Sequence, residues 1–367
     1  MPRILFNMPS QYADQPSGVA RMALELLDSL IGKGEFEYTL RSPWSREHLP
    51  DSLKAKPLEL ITVPRFSSAG FGVLQQSLTF PWVCRRHEID LVVNLDPYGS
   101  ATGGRARMMI VHDIYFRTIP KQISRRAAFT NGFIMRLMLA GNSEMVTVSD
   151  ATKRDLEFWY PDTRGHVTTI HSATSMQPVA AEDTQREIAG PYVIAVGNPT
   201  KNKNFGVLAE AMATVHQSNP NVSLVHVGDD RNEVIAETLK RLGSQLPLIR
   251  LTGIDDRRLA SLYRYATCLC VTSLYEGFCL PVLEAQVCGC PVVCSDRSAT
   301  PEIAGKGALL FDPTSPNALV GCLERVLRDP ATSDELIRLG HENASRFSWD
   351  LAARQYRAVF QRLLAKS

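Results

Sequence analysis

Short apolar runs rich in valine and isoleucine recur along the chain and alternate with longer segments of helical periodicity. The runs are RILF (3–6), DLVVNL (90–95), MMIVH (108–112), MVTVS (145–149) and VTTIH (167–171). After a polar stretch they resume as YVIAVG (192–197), VSLVHVG (222–228), TCLCVT (267–272) and PVVCS (291–295). Strands that are apolar throughout, rather than at every second position, are buried on both faces, and spacers such as RMALELLDSLI and NFGVLAEAMATVHQ are the helices that cover them. The predicted class is α/β with parallel sheets. The segment SATSMQPVAAEDTQREIAGP, residues 172–191, is polar, carries two prolines and has no strand pattern. It divides the chain into domains at 1–175 and 190–345. The last segment, SWDLAARQYRAVFQRLLAKS (348–367), reads as an amphipathic helix expected to pack back on the first domain.

Length supports two domains, because 367 residues exceed what one compact core usually holds. With 44% hydrophobic and 21% charged residues the composition is that of a soluble globular protein. No segment is apolar for long enough to span a bilayer, and the start, MPRILFNMPS, is too short an apolar run for a signal sequence. A cytoplasmic location is expected. Eight cysteines without a signal peptide point to reduced thiols. Cys288, Cys290 and Cys294 have no histidine near them in sequence and are read as small core residues rather than metal ligands.

The net charge of +2 excludes little, but its distribution is uneven. Between Ala101 and Gly141 there are seven basic residues (Arg105, Arg107, Arg117, Lys121, Arg125, Arg126, Arg136) and one acid, Asp113. Arginines mix there with Phe129, Phe133, Ile134, Met135, Leu137 and Met138 at roughly helical spacing. Such a segment suits an anionic membrane or a phosphate-bearing acceptor, and equally an ordinary amphipathic helix with a solvated basic face. No nucleic-acid partner is expected.

The densest chemistry lies in SLYEGFCLPVLEA, residues 273–285. Proline is tolerated in the first turn of a helix, so a helix starting at Pro281 leaves Glu276 in the preceding loop and Glu284 in the first turn. The Gly277-Phe278-Cys279-Leu280 stretch then turns backbone N–H groups towards one spot, suited to a phosphate. Acids beside an anion site must face something else, and sugar hydroxyls are natural partners: Glu284 for a ribose, Glu276 for a second sugar. The plain alternative is a pair of surface acids at a helix start.

The longer run SLYEGFCLPVLEAQVCGCPVVCSDRSATPEIAGKGALLFDP, residues 273–313, resembles the donor-site signature of the retaining GT-B glycosyltransferases of family four, the glycosyl transferases group 1. VGNPTKNKNFGVLAEAM (196–212) resembles the segment opening that family's second domain, and SGVAR, VHDIYFRTIP and VSDATKRDL match more weakly in the first half. The resemblance implies two Rossmann-like domains with parallel sheets facing across a cleft, an acceptor held by the first and a nucleotide-sugar donor by the second. Carried over by position, Glu284 binds the ribose, Glu276 contacts the transferred sugar, Lys203 neutralises the diphosphate, His112 reaches the sugar from the first domain, and Gly18 lets backbone approach the phosphates. Asn198 stands where some members have arginine, and PSGV replaces the usual paired glycines of the first loop. His112 is alternatively a satisfied strand-end histidine, and Ser149 a plain helix N-cap.

No Asp-x-Asp occurs in the chain, so no cofactor and no metal are expected. Retention and a mannosyltransferase acting in polysaccharide assembly are implied by the resemblance, with GDP-mannose as donor and a saccharide or lipid-linked saccharide as acceptor. UDP-glucose is the alternative donor. A non-hydrolysing nucleotide-sugar epimerase and a catalytically silent nucleotide-sugar-binding protein are the competing readings. A dinucleotide oxidoreductase is disfavoured, since no strand is followed by G-x-G-x-x-G.

Overall fold

The structure is a computed structural model that describes residues 1–9, 18–32, 34–63, 69–95, 99–120, 123–180, 182, 184–230 and 233–366. Pro16 and Ser17 of the first loop, and Lys121, lie outside the described residues. The chain divides into two compact units, one of Met1–Ala173 with Ser348–Ser367, the other of Thr174–Phe347.

The first unit holds a seven-stranded sheet of β1 (Arg3–Asn7), β2 (Glu37–Ser42), β3 (Leu58–Thr62), β4 (Leu91–Asn94), β5 (Ala106–Val111), β6 (Glu144–Thr147) and β7 (Val167–Thr169). Its order is β3-β2-β1-β4-β5-β6-β7, and every pairing is parallel. Successive side chains point to opposite faces, so Leu5 and Val92 meet Phe80 and Cys84 of the helix Ala69–Arg86, whereas Phe6 meets Phe360. On the Leu5 face the helix Arg125–Gly141 packs Ile134, Met135 and Met138 on Met109 and Val111. On the Phe6 face lie the helices Gly18–Leu30 and Trp349–Lys366, tied by the Trp349 indole N–H donating to Glu25 at 2.7 Å.

The second unit holds a six-stranded parallel sheet of β8 (Tyr192–Val196), β9 (Ser223–Val227), β10 (Leu248–Leu251), β11 (Cys268–Val271), β12 (Val292–Ser295) and β13 (Leu309–Phe311), in the order β10-β9-β8-β11-β12-β13. Val193, Ala195, Leu224 and Cys270 pack against Leu208, Met212 and Val215 of the helix Phe205–Ser218. Cys288, Cys290 and Cys294 are buried, and burial pushes the Cys288 thiol up to about 12 and the other two well above their ordinary value. They are protonated core side chains at neutral pH.

All nine apolar runs form strands. Four further strands, β2, β3, β10 and β13, escape the pattern. Three of them are sheet edges, where only one flank is paired and polar residues are tolerated, as in LELIT and LIRL. The fourth, EYTLRS, buries polar Thr39, Arg41 and Ser42.

Candidate active site

In each sheet the strand order reverses once, and ligands of open parallel sheets bind beyond the carboxyl ends of the strands at that point. In the second unit the reversal falls between β8 and β11. The loop after β8 passes Gly197, at φ +121, into a 3-10 turn Lys201–Lys203. The loop after β11 runs through Thr272 and Ser273 to Glu276. The loops are joined by backbone and side chain, with Leu274 N–H donating to the Asn202 carbonyl at 2.7 Å and the Thr272 hydroxyl to the Lys203 carbonyl at 2.7 Å.

These contacts bring the Lys203 ammonium to 2.7 Å from Glu276 Oε1, and the Ser273 hydroxyl donates to the same oxygen at 2.5 Å. Burial opposes the lysine charge, but the Glu276 carboxylate outweighs it and holds the ammonium above its ordinary pKa. Among the described residues Glu276 Oε2 accepts no hydrogen bond, which leaves one carboxylate oxygen for an incoming hydroxyl. The Glu276 carbonyl is fixed separately, by the Ser298 hydroxyl at 2.6 Å and the Ala299 N–H at 3.3 Å.

The helix after this loop spans Leu280–Val287, starting one residue before the predicted Pro281, and its N-cap Cys279 sits in the left-handed region at φ 77, ψ 63. That early start corrects the position of Glu284, which lies a full turn inside the helix rather than in its first turn. Glu284 is only 4% exposed and accepts a hydrogen bond from the Tyr263 hydroxyl at 3.2 Å. Burial and the Glu284 carboxylate push the Tyr263 phenol well up, so it stays protonated as donor. The buried Cys279 thiol is raised by burial and by Glu276, and also feels Lys203 and Glu284, so the three charged groups surround one point of the chain. Phe278 packs edge-to-face on Phe347 at 5.9 Å, anchoring the turn from behind. Asn198 acts within the unit: its Oδ1 accepts from Asp229 N–H at 2.9 Å and ties the β8 and β9 loops together. Lys201 is exposed.

Two supporting residues escape a reading by motif. His226, inside β9, has its Nε2 2.8 Å from the Gly197 carbonyl and so holds the loop that carries Lys203. Gly228 crosses so closely that a Cβ there would lie 2.4 Å from the Gly197 oxygen. Ser273 was legible in principle, three residues before Glu276 in the same quoted stretch.

The other two predicted residues belong to the first unit. His112 follows β5, and its Nε2 lies 2.9 Å from the Leu95 carbonyl. Burial lowers its pKa to about 4, so the ring is neutral; since a carbonyl only accepts, Nε2 carries the proton and Nδ1 is an acceptor. Gly18 begins the helix Gly18–Leu30, exposed, with open space where a Cβ would be. Ser149 is an N-cap, accepting from Thr152 N–H at 3.1 Å.

Residues 181–343 match the family described as Glycosyl transferases group 1. The chain is 31% identical over 234 residues to an MMP α-(1→4)-mannosyltransferase of Mycolicibacterium hassiacum, covering 61% of this chain and 55% of the relative. It is 31% identical over 163 residues to the O-antigen chain mannosyltransferase B of Escherichia coli, covering 43% of this chain and 42% of the relative. The chain thus spans about half the length of the curated relatives it matches. Across 99% of its length it superposes on all of Anabaena HepE, solved with UDP and glucose, at a TM-score of 0.77 and 19% identity. The fold is GT-B, with two Rossmann-like parallel-sheet units. No helix among the described residues is long and apolar enough to cross a membrane.

Proposed function

We propose that this chain is a retaining, metal-independent hexosyltransferase that moves mannose from GDP-mannose to a saccharide or lipid-linked saccharide acceptor. The observation that carries the reading is the Lys203–Glu276 pair at the reversal point of the second sheet, within a group 1 segment related to two mannosyltransferases. In this reading Glu284 holds the ribose and Lys203 faces the diphosphate, so that the charge gathering on the departing phosphate meets a preorganised ammonium. Glu276 Oε2 accepts from a hydroxyl of the hexose, and the neutral His112 accepts from another through Nδ1. The bond between the anomeric carbon and the phosphate oxygen breaks while the acceptor oxygen bonds to that carbon on the same face, and the acceptor proton passes to the departing phosphate. The expectation of metal independence rests on the missing Asp-x-Asp and on Lys203 in its place. A UDP-sugar donor is the second reading, favoured by the likeness to a protein solved with UDP and glucose. The enzyme is proposed to work in the cytoplasm at a membrane face, which it contacts through the basic segment 101–141.

Thermal melting with GDP-mannose, UDP-glucose, UDP-galactose and UDP-N-acetylglucosamine in EDTA tests this. One donor should raise the melting temperature of the wild type by several degrees and leave Glu284→Ala unmoved. Stabilisation that requires added manganese, or equal stabilisation of Glu284→Ala, contradicts it.

A further inference from the structure

Of the basic residues in 101–141, several are engaged internally. Arg107 donates to the carbonyls of Gly141 and Gly103, Arg117 lies over Tyr160 and Phe116, and Arg105 pairs with Asp90. What remains outside among the described residues is one face of the helix Arg125–Gly141, where Arg125, Arg126, Phe129, Phe133, Arg136 and Leu137 recur at helical spacing and are all exposed. The neighbouring helix Ala69–Arg86 touches it on the same side of the sheet and buries Phe80 and Cys84. Its opposite face presents Leu78 and Trp82, with the Arg86 guanidinium 5.3 Å over the Trp82 ring and Arg85 exposed one turn on. Leu78, Trp82, Phe129 and Phe133 are 74%, 62%, 77% and 64% exposed, an unusual concentration of large apolar side chains on a water-facing surface.

We infer that these two helix faces together form a docking surface for an anionic lipid bilayer. Charge decides the occupant: the helices carry five arginines and no acidic residue, AGFGVLQQSLTFPWVCRR and RRAAFTNGFIMRLMLAG. Arginine stems cover apolar surface while their heads reach lipid phosphates, and phenylalanine, tryptophan and leucine enter the headgroup boundary. On the helix Asp150–Trp159 exposed Phe158 and Trp159 stack edge-to-face at 5.4 Å, but the charge there is mixed, with Asp155 and a Lys153–Glu157 pair at 4.0 Å. Trp159 and Arg136 line one cavity of about 620 Å³, so that aromatic pair borders the basic face directly. This deepens the membrane contact proposed above, moving it off the 101–124 segment and on to a second helix.

The test is sedimentation with sucrose-loaded vesicles, which needs neither donor nor turnover and so fails independently of the transferase reading. The wild type should pellet with phosphatidylcholine mixed with phosphatidylglycerol, stay in solution with phosphatidylcholine alone, and be released by salt. Arg125→Glu with Arg126→Glu should weaken binding on the order of tenfold or more, and Phe129→Ser with Phe133→Ser by a similar factor. All four side chains are exposed, so unchanged melting temperatures should accompany the loss. Equal pelleting with both lipids, no pelleting, or binding indifferent to the substitutions would overturn the inference. So would a dimer by light scattering that Phe129→Ser with Phe133→Ser converts to monomer, since the face would then join two copies.

Discussion

In the 174–347 unit the strands flanking the reversal, β8 and β11, run into loops whose Lys203 and Glu276 form an ion pair. In the other unit the flanking strands, β1 and β4, end in Asn7 and Asn94, whose uncharged amides bond to each other at 3.0 Å. Asn7 Oδ1 also accepts from Arg41, while Asn94 Nδ2 donates to Asn142 Oδ1 at 3.1 Å and to the Ser100 carbonyl. The two sheets share a topology and differ in what their strand ends are for. In one the polar groups are half-buried and charged, with a carboxylate oxygen left over. In the other they are fully buried and satisfy one another, which holds the carboxyl ends of β1, β2 and β4 and a helix end in register. Topology selects where a ligand can meet a parallel sheet, and the loop residues decide whether that place is a site or a clasp.

The largest effect should separate the two ends by function. Lys203→Ala should lower the transfer rate roughly a hundredfold, the scale seen when one preorganised donor to a developing oxyanion is removed. Circular dichroism should show the fold intact; near-wild-type turnover would make the ion pair merely structural. At the other reversal point the loss should be in stability. Asn94→Ala removes buried hydrogen bonds to Asn7, Ser100 and Asn142 and should cost about 3 kcal/mol in urea unfolding. A cost near zero would mean that the amide cluster clasps nothing.

The smallest effect concerns His112. Its folded pKa of about 4 lies below the ordinary histidine value, so the unfolded chain binds the proton more readily. The contribution to stability is therefore fully present above about pH 6.5 and is lost as pH falls towards 4. Urea midpoints across that window should slope for the wild type and flatten in His112→Gln, whose amide still donates to the Leu95 carbonyl. Parallel slopes would show that the ring titrates normally.

The same contrast explains what the sequence discloses. Glu276, Gly277, Glu284 and Ser273 lie within one short stretch, so a loop followed by a helix is enough to assemble them, and the strand pattern places that loop at a sheet end. Lys203 needs the β8 loop to reach the β11 loop, which the motif context suggests but only the Thr272 and Asn202 bonds secure. Asn7, Asn94 and Asn142 are far apart in the chain and individually unremarkable; only strand order brings them together. Trp82 belongs to a helix between β3 and β4, and β3 itself is an edge strand too polar to read as one. That its helix touches the helix Arg125–Gly141 follows from both crossovers returning on one side of the sheet, a fact of topology rather than of local pattern.

The most direct measurement is calorimetric titration of whichever nucleoside diphosphate stabilises the wild type into wild type, Lys203→Ala and Asn94→Ala. A charged donor site at the β8–β11 reversal requires roughly tenfold or weaker binding in Lys203→Ala, with Asn94→Ala close to wild type. Wild-type affinity in Lys203→Ala, or an equal loss in Asn94→Ala, would contradict the assignment of the site to the second unit's loops.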